Sequence, residues 1–308
     1  MNRFVKMKLV FVLFLLIPGV IYSSDKITII YTNSLNGNID FCHCKESPNG
    51  GLVKRATEIN KLRHRYKNLF LFETGDMFYY EKDSILAKYI VKAYKYMGYD
   101  AVTFGDQEFS VGVSGFLKYR DELPFVNNNI RIKYGKRFRK FFKRYMIVRK
   151  SNFKIGIIGT VSRDTFKYYP SKLRSKIKIS NQVNEIISDI SILKGKKVDV
   201  IILLSHSGFD KDKVIAKRVR GIDIIIGGHS QTFLKNPKKI GKTIIVQAGS
   251  NGAHIGILEI FRKGSKALKF RNSFRRPDEY QPADDKYIRK LINDYKEESR
   301  KKNNLRFD

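Results

Sequence analysis

The sequence predicts an α/β fold, and three observations predict it. Val198 to Leu204 is a short apolar run rich in β-branched residues, stopped by Ser205-His206-Ser207-Gly208. Asp223 to Ile226 is a second such run, stopped by Gly227-Gly228-His229-Ser230-Gln231. Runs of this length bounded by glycine and polar turns read as strands buried on both faces. Strand and helix patterns also alternate along most of the chain, which implies a largely parallel sheet in its first half. Ligands of open α/β sheets bind beyond the carboxyl ends of the strands. His206 and His229, two of only five histidines, follow such ends and read as metal ligands. The alternative is a hydrogen-bonded histidine at each strand end.

In chain order, the start supplies Arg3, Lys6 and Lys8, then an apolar run from Leu9 to Ile17, a Pro18-Gly19 break and the small Ser23-Ser24. This is the pattern of a secretory signal peptide over residues 1–23. The apolar core is short for a membrane span, and an uncleaved anchor is the alternative. The expected product is exported, periplasmic or extracellular. Any membrane attachment is through an uncleaved signal segment.

Lys26 to Thr32 then reads as a strand, Asn33 to Gly51 as a loop and Leu52 to Tyr66 as a helix with Leu52, Ile59 and Leu62 inward. Leu69 to Phe72 is a strand ending at Glu73-Thr74-Gly75-Asp76. Ser84 to Met97 is a helix closed by Gly98. Ala101 to Phe104 is a strand before Gly105-Asp106-Gln107-Glu108, Phe116 to Tyr119 lies in a short helix, and Pro124 to Val126 starts a strand. Tyr145 to Val148 and Lys154 to Ile158 pair as a hairpin, and Val183 to Leu193 is an amphipathic helix. After the two buried strands come strands at Thr243 to Val246 and Ile255 to Phe261, then a charged helix from Tyr287 to Glu298. No repeat or linker interrupts the pattern. One domain over residues 26–280 is expected, with 281–308 as a basic C-terminal helix and tail.

Of the 308 residues, 42% are hydrophobic and 13% aromatic, enough to fill a core and to exclude general disorder. The formal charge of +32 attracts polyanions. The expected partners are a phosphorylated small molecule or an acidic envelope polymer; no specific nucleic-acid motif is present. The densest basic stretch, Arg131 to Arg149, reads as a hairpin or loop, with a partner surface as the alternative. Cys42 and Cys44 flank His43 and are the only cysteines, so no disulfide framework exists. They form a strained ring, hold a soft metal or have no role.

Five polar turns follow five strand ends: Ser34 to Gly37, Gly75-Asp76, Gly105 to Glu108, Ser205-His206 and Gly228 to Gln231. Together with Gly50-Gly51, Arg55 and Val246-Gln247-Ala248-Gly249, they resemble in type and order the motifs of the 5′-nucleotidase branch of the calcineurin-like metallophosphoesterases. The resemblance covers roughly residues 26–262. It implies a calcineurin-like metallophosphoesterase sandwich, two mixed β-sheets flanked by helices, with a two-metal site at one edge. Such sites clamp phosphoryl oxygens and activate water for in-line attack. By resemblance Asp76 bridges the metals, His206 and His229 bind one of them, and Gln231 binds the other.

The departures from that pattern decide the expected chemistry. Ser34 and Asn36 replace the family's first Asp and His, and neutral oxygens hold hard cations poorly. Asp106 and Gln107 replace its Asn-His pair. Asp106 keeps ligand capacity; Gln107 donates a hydrogen bond but cannot protonate an alkoxide. Asp76, Asp106, His206 and His229 balance one divalent cation, zinc, manganese or similar. The expected site therefore holds one metal, or none if these residues only bond one another, with Gln107 and Asn36 orienting a phosphate. Two readings follow: an exported single-metal phosphoester hydrolase of altered activity, or a catalytically inactive pseudoenzyme serving as an envelope binding or structural module for anionic partners. The family's base clamp belongs to a second domain, so nucleotide specificity does not carry over.

Overall fold

The computed structural model describes residues 25–40, 51–150, 153–262, 268–277 and 284–304. The signal segment and Cys42, His43 and Cys44 lie outside the described residues. A strand whose two faces are both apolar needs cover on both, and the first strand has it. β1 (Asp25–Thr32) sends Ile27, Ile29 and Tyr31 one way and Ile30 the other. α1 (Gly51–Arg65) and α2 (Ser84–Met97) cover the Ile30 side. β2 (Leu69–Glu73) divides likewise, with Phe70 and Phe72 opposite to Leu71. β3 is only Ala101–Val102, followed by α3 (Val113–Leu117).

The chain continues through β4 (Ile130–Tyr134), β5 (Arg137–Arg139), β6 (Tyr145–Lys150) and β7 (Phe153–Val161). α4 (Ser171–Arg174), β8 (Ile177–Ile179), α5 (Gln182–Gly195), β9 (Val200–His206), α6 (Phe209–Arg218) and β10 (Ile224–Gly227) come next. β11 (Lys238–Ile240), β12 (Thr243–Val246), β13 (Ile255–Arg262), β14 (Lys269–Arg275) and α7 (Lys286–Asn304) complete it.

The expected sandwich of two mixed sheets is observed. One sheet runs β14-β13-β1-β2-β3 and the other β11-β12-β10-β9-β7-β6. Their facing sides share one core, in which Ile29, Tyr31, Phe70 and Phe72 meet Ile157, Ile202, Leu204 and Ile226. The outer face of the second sheet, with Ile158, Leu203, Ile225 and Ile245, lies under α5 and α6. The period of two along a strand produces this division. α7 packs back on the first layer through the buried Ile288, Leu291 and Ile292, and the Tyr295 hydroxyl donates to Asp83 at 3.0 Å. No described helix is long and apolar enough to cross a membrane.

The structure departs from the sequence reading at several points. Parallel pairing is not concentrated in the first half: it joins β1, β2 and β3 there, and β7, β9, β10 and β12 later. The strand expected from Ala101 to Phe104 stops at Val102, because Phe104 turns into an aromatic cluster with Phe109, Phe116, Phe125 and Phe142. The helix placed at Phe116 begins at Val113, and the strand placed at Pro124 is reduced to isolated bridges at Phe125 and Val126. The basic stretch is a β4–β5 hairpin followed by β6, with β4 and β5 joined to β8 in a small antiparallel sheet. α6, β11 and β14 carry too many charges to show an apolar period and were not foreseen.

Candidate metal centre

Parallel pairing brings the carboxyl ends of β1, β2 and β3 to one edge, and β9 and β10 reach the same edge from the facing sheet. Backbone bonds tie the turns there. The Ser34 amide donates to the Gly75 carbonyl at 2.9 Å, Asn36 to Asp76 at 2.8 Å and Gly208 to Gly228 at 3.1 Å. The Thr74 hydroxyl crosses between the sheets and donates to the Gly227 carbonyl at 3.0 Å. Six of the seven described non-glycine residues with left-handed φ stand at this edge: Ser34, Asn36, Asp76, His229, Gln231 and Asn251. Backbone of this kind persists only where the surroundings enforce it, and it gathers at functional sites.

Four of the expected ligands converge. Asp76, Asp106, His206 and His229 each offer a ligand atom, all within 4.8 Å of one another. His206 is fully buried, and its Nδ1 lies 2.7 Å from the Thr74 carbonyl oxygen. A carbonyl only accepts, so Nδ1 carries the proton and donates. Nε2 then faces Asp76 Oδ2 at 3.3 Å and Asp106 Oδ1 at 3.7 Å. His229 Nδ1 lies 3.5 Å from the same Asp106 oxygen. Neither His206 Nε2 nor Asp106 Oδ1 has a hydrogen-bond partner, although both are buried.

That arrangement fits a cation held by two carboxylates and two imidazoles. Without one, a proton takes its place. Burial disfavours the charged imidazole of His206, but Asp76 and Asp106 outweigh it and hold its pKa well above the ordinary value. Burial likewise raises the Asp106 carboxyl, and the two histidines more than offset it, leaving about 2. Glycine makes the room: a Cβ at Gly105 would overlap Asp76 Oδ1 and His206 Nε2, and one at Gly228 would stand 2.8 Å from the Thr74 carbonyl oxygen.

The other half of the edge is neutral. Gln107 Nε2 donates to Asn36 Oδ1 at 3.2 Å, and Asn36 Nδ2 donates to Asn251 Oδ1 at 2.7 Å. Ser34 is buried beside them. Gln231, two residues past His229, is exposed.

Several supporting groups escaped the sequence reading. Glu108 is fully buried, and burial together with Asp76 pushes its carboxyl up to about 7. Asp212 is raised to about 7 by burial and accepts the Ser205 hydroxyl at 2.6 Å. Burial, then the charges of Asp106 and Asp76, raise the Tyr169 hydroxyl and keep it neutral. Glu108 was visible as part of a motif, but without a role. The Thr74 carbonyl, being backbone, gives no sequence signal.

The profile of the family described as calcineurin-like phosphoesterase matches residues 42–233. A 5′-nucleotidase from Diplobatis ommata is 29% identical over 279 residues, covering 78% of this chain and 46% of that protein. A snake venom 5′-nucleotidase from Crotalus adamanteus is 30% identical over 224 residues, covering 68% of this chain and 38% of that protein. The chain thus spans less than half the length of these two relatives. Two solved structures share the fold. A 5′-nucleotidase precursor from Thermus thermophilus superposes with a TM-score of 0.78 at 21% identity, over 89% of this chain and 59% of that one. A calcineurin-like phosphoesterase from Bacillus subtilis gives 0.73 at 21% identity, over 89% and 98%.

Proposed function

We propose a function from one premise: the chain belongs to the calcineurin-like phosphoesterase family. It is an exported phosphoester hydrolase that works with a single divalent cation and with altered activity. The observation that carries this is the pair of buried, partnerless atoms, His206 Nε2 and Asp106 Oδ1, inside a ring of two carboxylates and two imidazoles. When bound, a divalent cation there supplies Lewis acidity toward a phosphoryl oxygen. Asp76, Asp106, His206 and His229 would hold it.

The neighbouring residues bind and orient the phosphate. Gln107 and Asn36 offer amide N–H groups to its oxygens once the Gln107–Asn36 and Asn36–Asn251 hydrogen bonds open. Neither amide carries a transferable proton, so esters whose leaving groups need no protonation react best. The substrate class is a phosphorylated small molecule, drawn in by the positive field. Export rests on the basic, apolar and small-residue order of residues 1–23.

A second reading has its own support. Gln107, Asn36 and Asn251 form a chain of amide hydrogen bonds that leaves only Gln107 Oε1 of the bonded Gln107–Asn36 pair without a partner, a neutral arrangement suited to a pocket without chemistry. In that case the protein is a pseudoenzyme that binds anionic partners in the envelope. The test is the metal content of protein purified without chelator, by elemental mass spectrometry, followed by aryl phosphate hydrolysis. One cation per chain with turnover supports the hydrolase. One cation without turnover supports the binding module, and no cation removes the hydrolase reading.

A further inference from the structure

Glu108 takes no part in the chemistry above, yet three backbone amides converge on it. Its Oε1 accepts the Met77 N–H at 2.6 Å. Its Oε2 accepts the Gly105 N–H at 2.6 Å and the Asp76 N–H at 3.3 Å. The side chain is fully buried, so water does not compete for these bonds. The amides belong to two different turns. Asp76 and Met77 follow β2; Gly105 follows β3 and precedes Asp106 by one residue. Each turn delivers one carboxylate to the metal cluster.

Both turns need holding. Asp76 has φ 58° and follows Gly75 at φ 96°, a left-handed pair that costs energy even for aspartate, which tolerates this region better than most residues. Gly105 presses its backbone against Asp76 Oδ1 and His206 with no space for a Cβ. Ahead of the ligands the Thr103 amide donates to the Glu73 carbonyl at 2.9 Å, but the further bond at the ligands themselves, the Gln107 amide to Asp76 Oδ1 at 3.4 Å, is longer and uses an oxygen of the ligand itself.

We infer that Glu108 is a positioning residue that locks the two turns together and sets the separation of Asp76 from Asp106. Three N–H donors around one side chain suit a group with two acceptor oxygens and no donor, which among side chains is a carboxylate. Glutamine has one acceptor oxygen and an NH2 that would face an amide N–H. Aspartate is one methylene too short to reach all three. The lock itself does not depend on a cation; its effect on cation affinity rests on the reading proposed above. Outer carboxylates that orient metal ligands typically change affinity by about 10- to 100-fold.

The test is Glu108→Gln in the full chain. Asp189→Asn serves as a control: it alters another fully buried carboxylate, on α5, bonded to Asn128 and Arg144. Titration with Zn2+ and Co2+ should show about 10- to 100-fold weaker binding for Glu108→Gln, with a changed Co2+ absorption spectrum, and wild-type affinity for Asp189→Asn. In cation-free protein, amide exchange at Met77 and Gly105 should quicken in Glu108→Gln alone. Equal affinity for all three proteins overturns the metal consequence, and unchanged exchange overturns the lock. If the wild type binds neither cation, the metal-site reading fails while exchange still decides the lock. If Glu108→Gln does not fold, the wild type decides: Met77 and Gly105 amides as slow as strand amides support the lock, and rates of open turns overturn it.

Discussion

His206 presents Nε2 to Asp76 Oδ2 at 3.3 Å while its Nδ1–H is committed to the Thr74 carbonyl at 2.7 Å. The backbone thereby fixes the tautomer, and a buried lone pair is left facing two carboxylates. Such an arrangement requires a positive charge between them, either a proton or a cation. Metal-ligating histidines are oriented in this way, through a carbonyl on the other ring nitrogen.

Cation addition should therefore stabilise the protein. At a free concentration of about 100 Kd, linkage gives roughly 2.7 kcal/mol. Zn2+ or Mn2+ should raise the Tm of the wild type by several degrees, and chelator should reverse it. His206→Ala should lose both the bound metal and the Tm response. A variant that keeps the full Tm rise would show that the cation binds elsewhere.

Space at Gly105 should matter as much as the ligands. Gly105→Ala adds a methyl group where Asp76 Oδ1 and His206 Nε2 already sit, so it should abolish cation uptake and destabilise the fold by about 1–3 kcal/mol through overpacking. Gly195→Ala, where nothing lies within 4 Å of the added atom, should change stability by less than about 1 kcal/mol. Calorimetry of the two variants side by side checks this. A Gly105→Ala protein with normal uptake would mean that the turn is looser than its geometry.

The fold was legible where strands are buried on both faces, because a continuous apolar run such as Ile224 to Ile226 is too short for a helix and needs cover on each side. The end of α2 was legible because Gly98, at φ 63°, closes it; the Asp83 cap at its start, accepting from the Ile85 and Leu86 amides, is seen in the structure. α6 was not legible: it buries only Asp212 and Ile215, too few to impose a period. Edge strands β11 and β14, rich in Lys and Arg, obey pairing rather than pattern. Four site residues could be named because their motifs sit at strand ends. Arg55 was also singled out, but its place in a buried network, 3.6 Å from Glu73 and bonded to Tyr94 at 2.9 Å, depends on residues distant in sequence. The contacts of Glu108 and Asn251 are with neighbouring turns, which no local pattern encodes.

Restoring charge to the neutral half should restore chemistry. Ser34→Asp, Asn36→His and Gln107→His together replace two amides now 3.2 Å apart with imidazoles and add a carboxylate. The left-handed backbone at positions 34 and 36, φ 49° and 54°, accepts Asp and His better than most residues. A second cation per chain is expected, with phosphate-ester turnover rising by about 100-fold or more, the scale of a general acid. Two cations without faster turnover would locate the defect in substrate binding. No second cation would mean that the pocket has drifted beyond its motifs.

Asp212 should give stability a pH dependence of its own. Its carboxyl is fully buried; Oδ1 accepts the Ser205 hydroxyl and Oδ2 has no partner. Burial raises its pKa from 3.8 to about 7. Between those values the folded state keeps a proton that the unfolded chain has released. The favourable contribution is therefore present below about pH 4, falls as pH rises toward 7 and is constant above it. His206, with a raised pKa, loses its contribution through the range above its ordinary value of 6.5, so the two effects act in the same direction. Asp212→Asn cannot titrate and should remove its share of this slope, while Glu108, also raised to about 7, keeps its own. In chelator, the Tm of the variant relative to the wild type should rise by a few degrees from pH 5 to pH 7. Parallel Tm curves over that interval would mean that Asp212 is ionised in the folded protein, its burial offset by the Ser205 hydroxyl and His206.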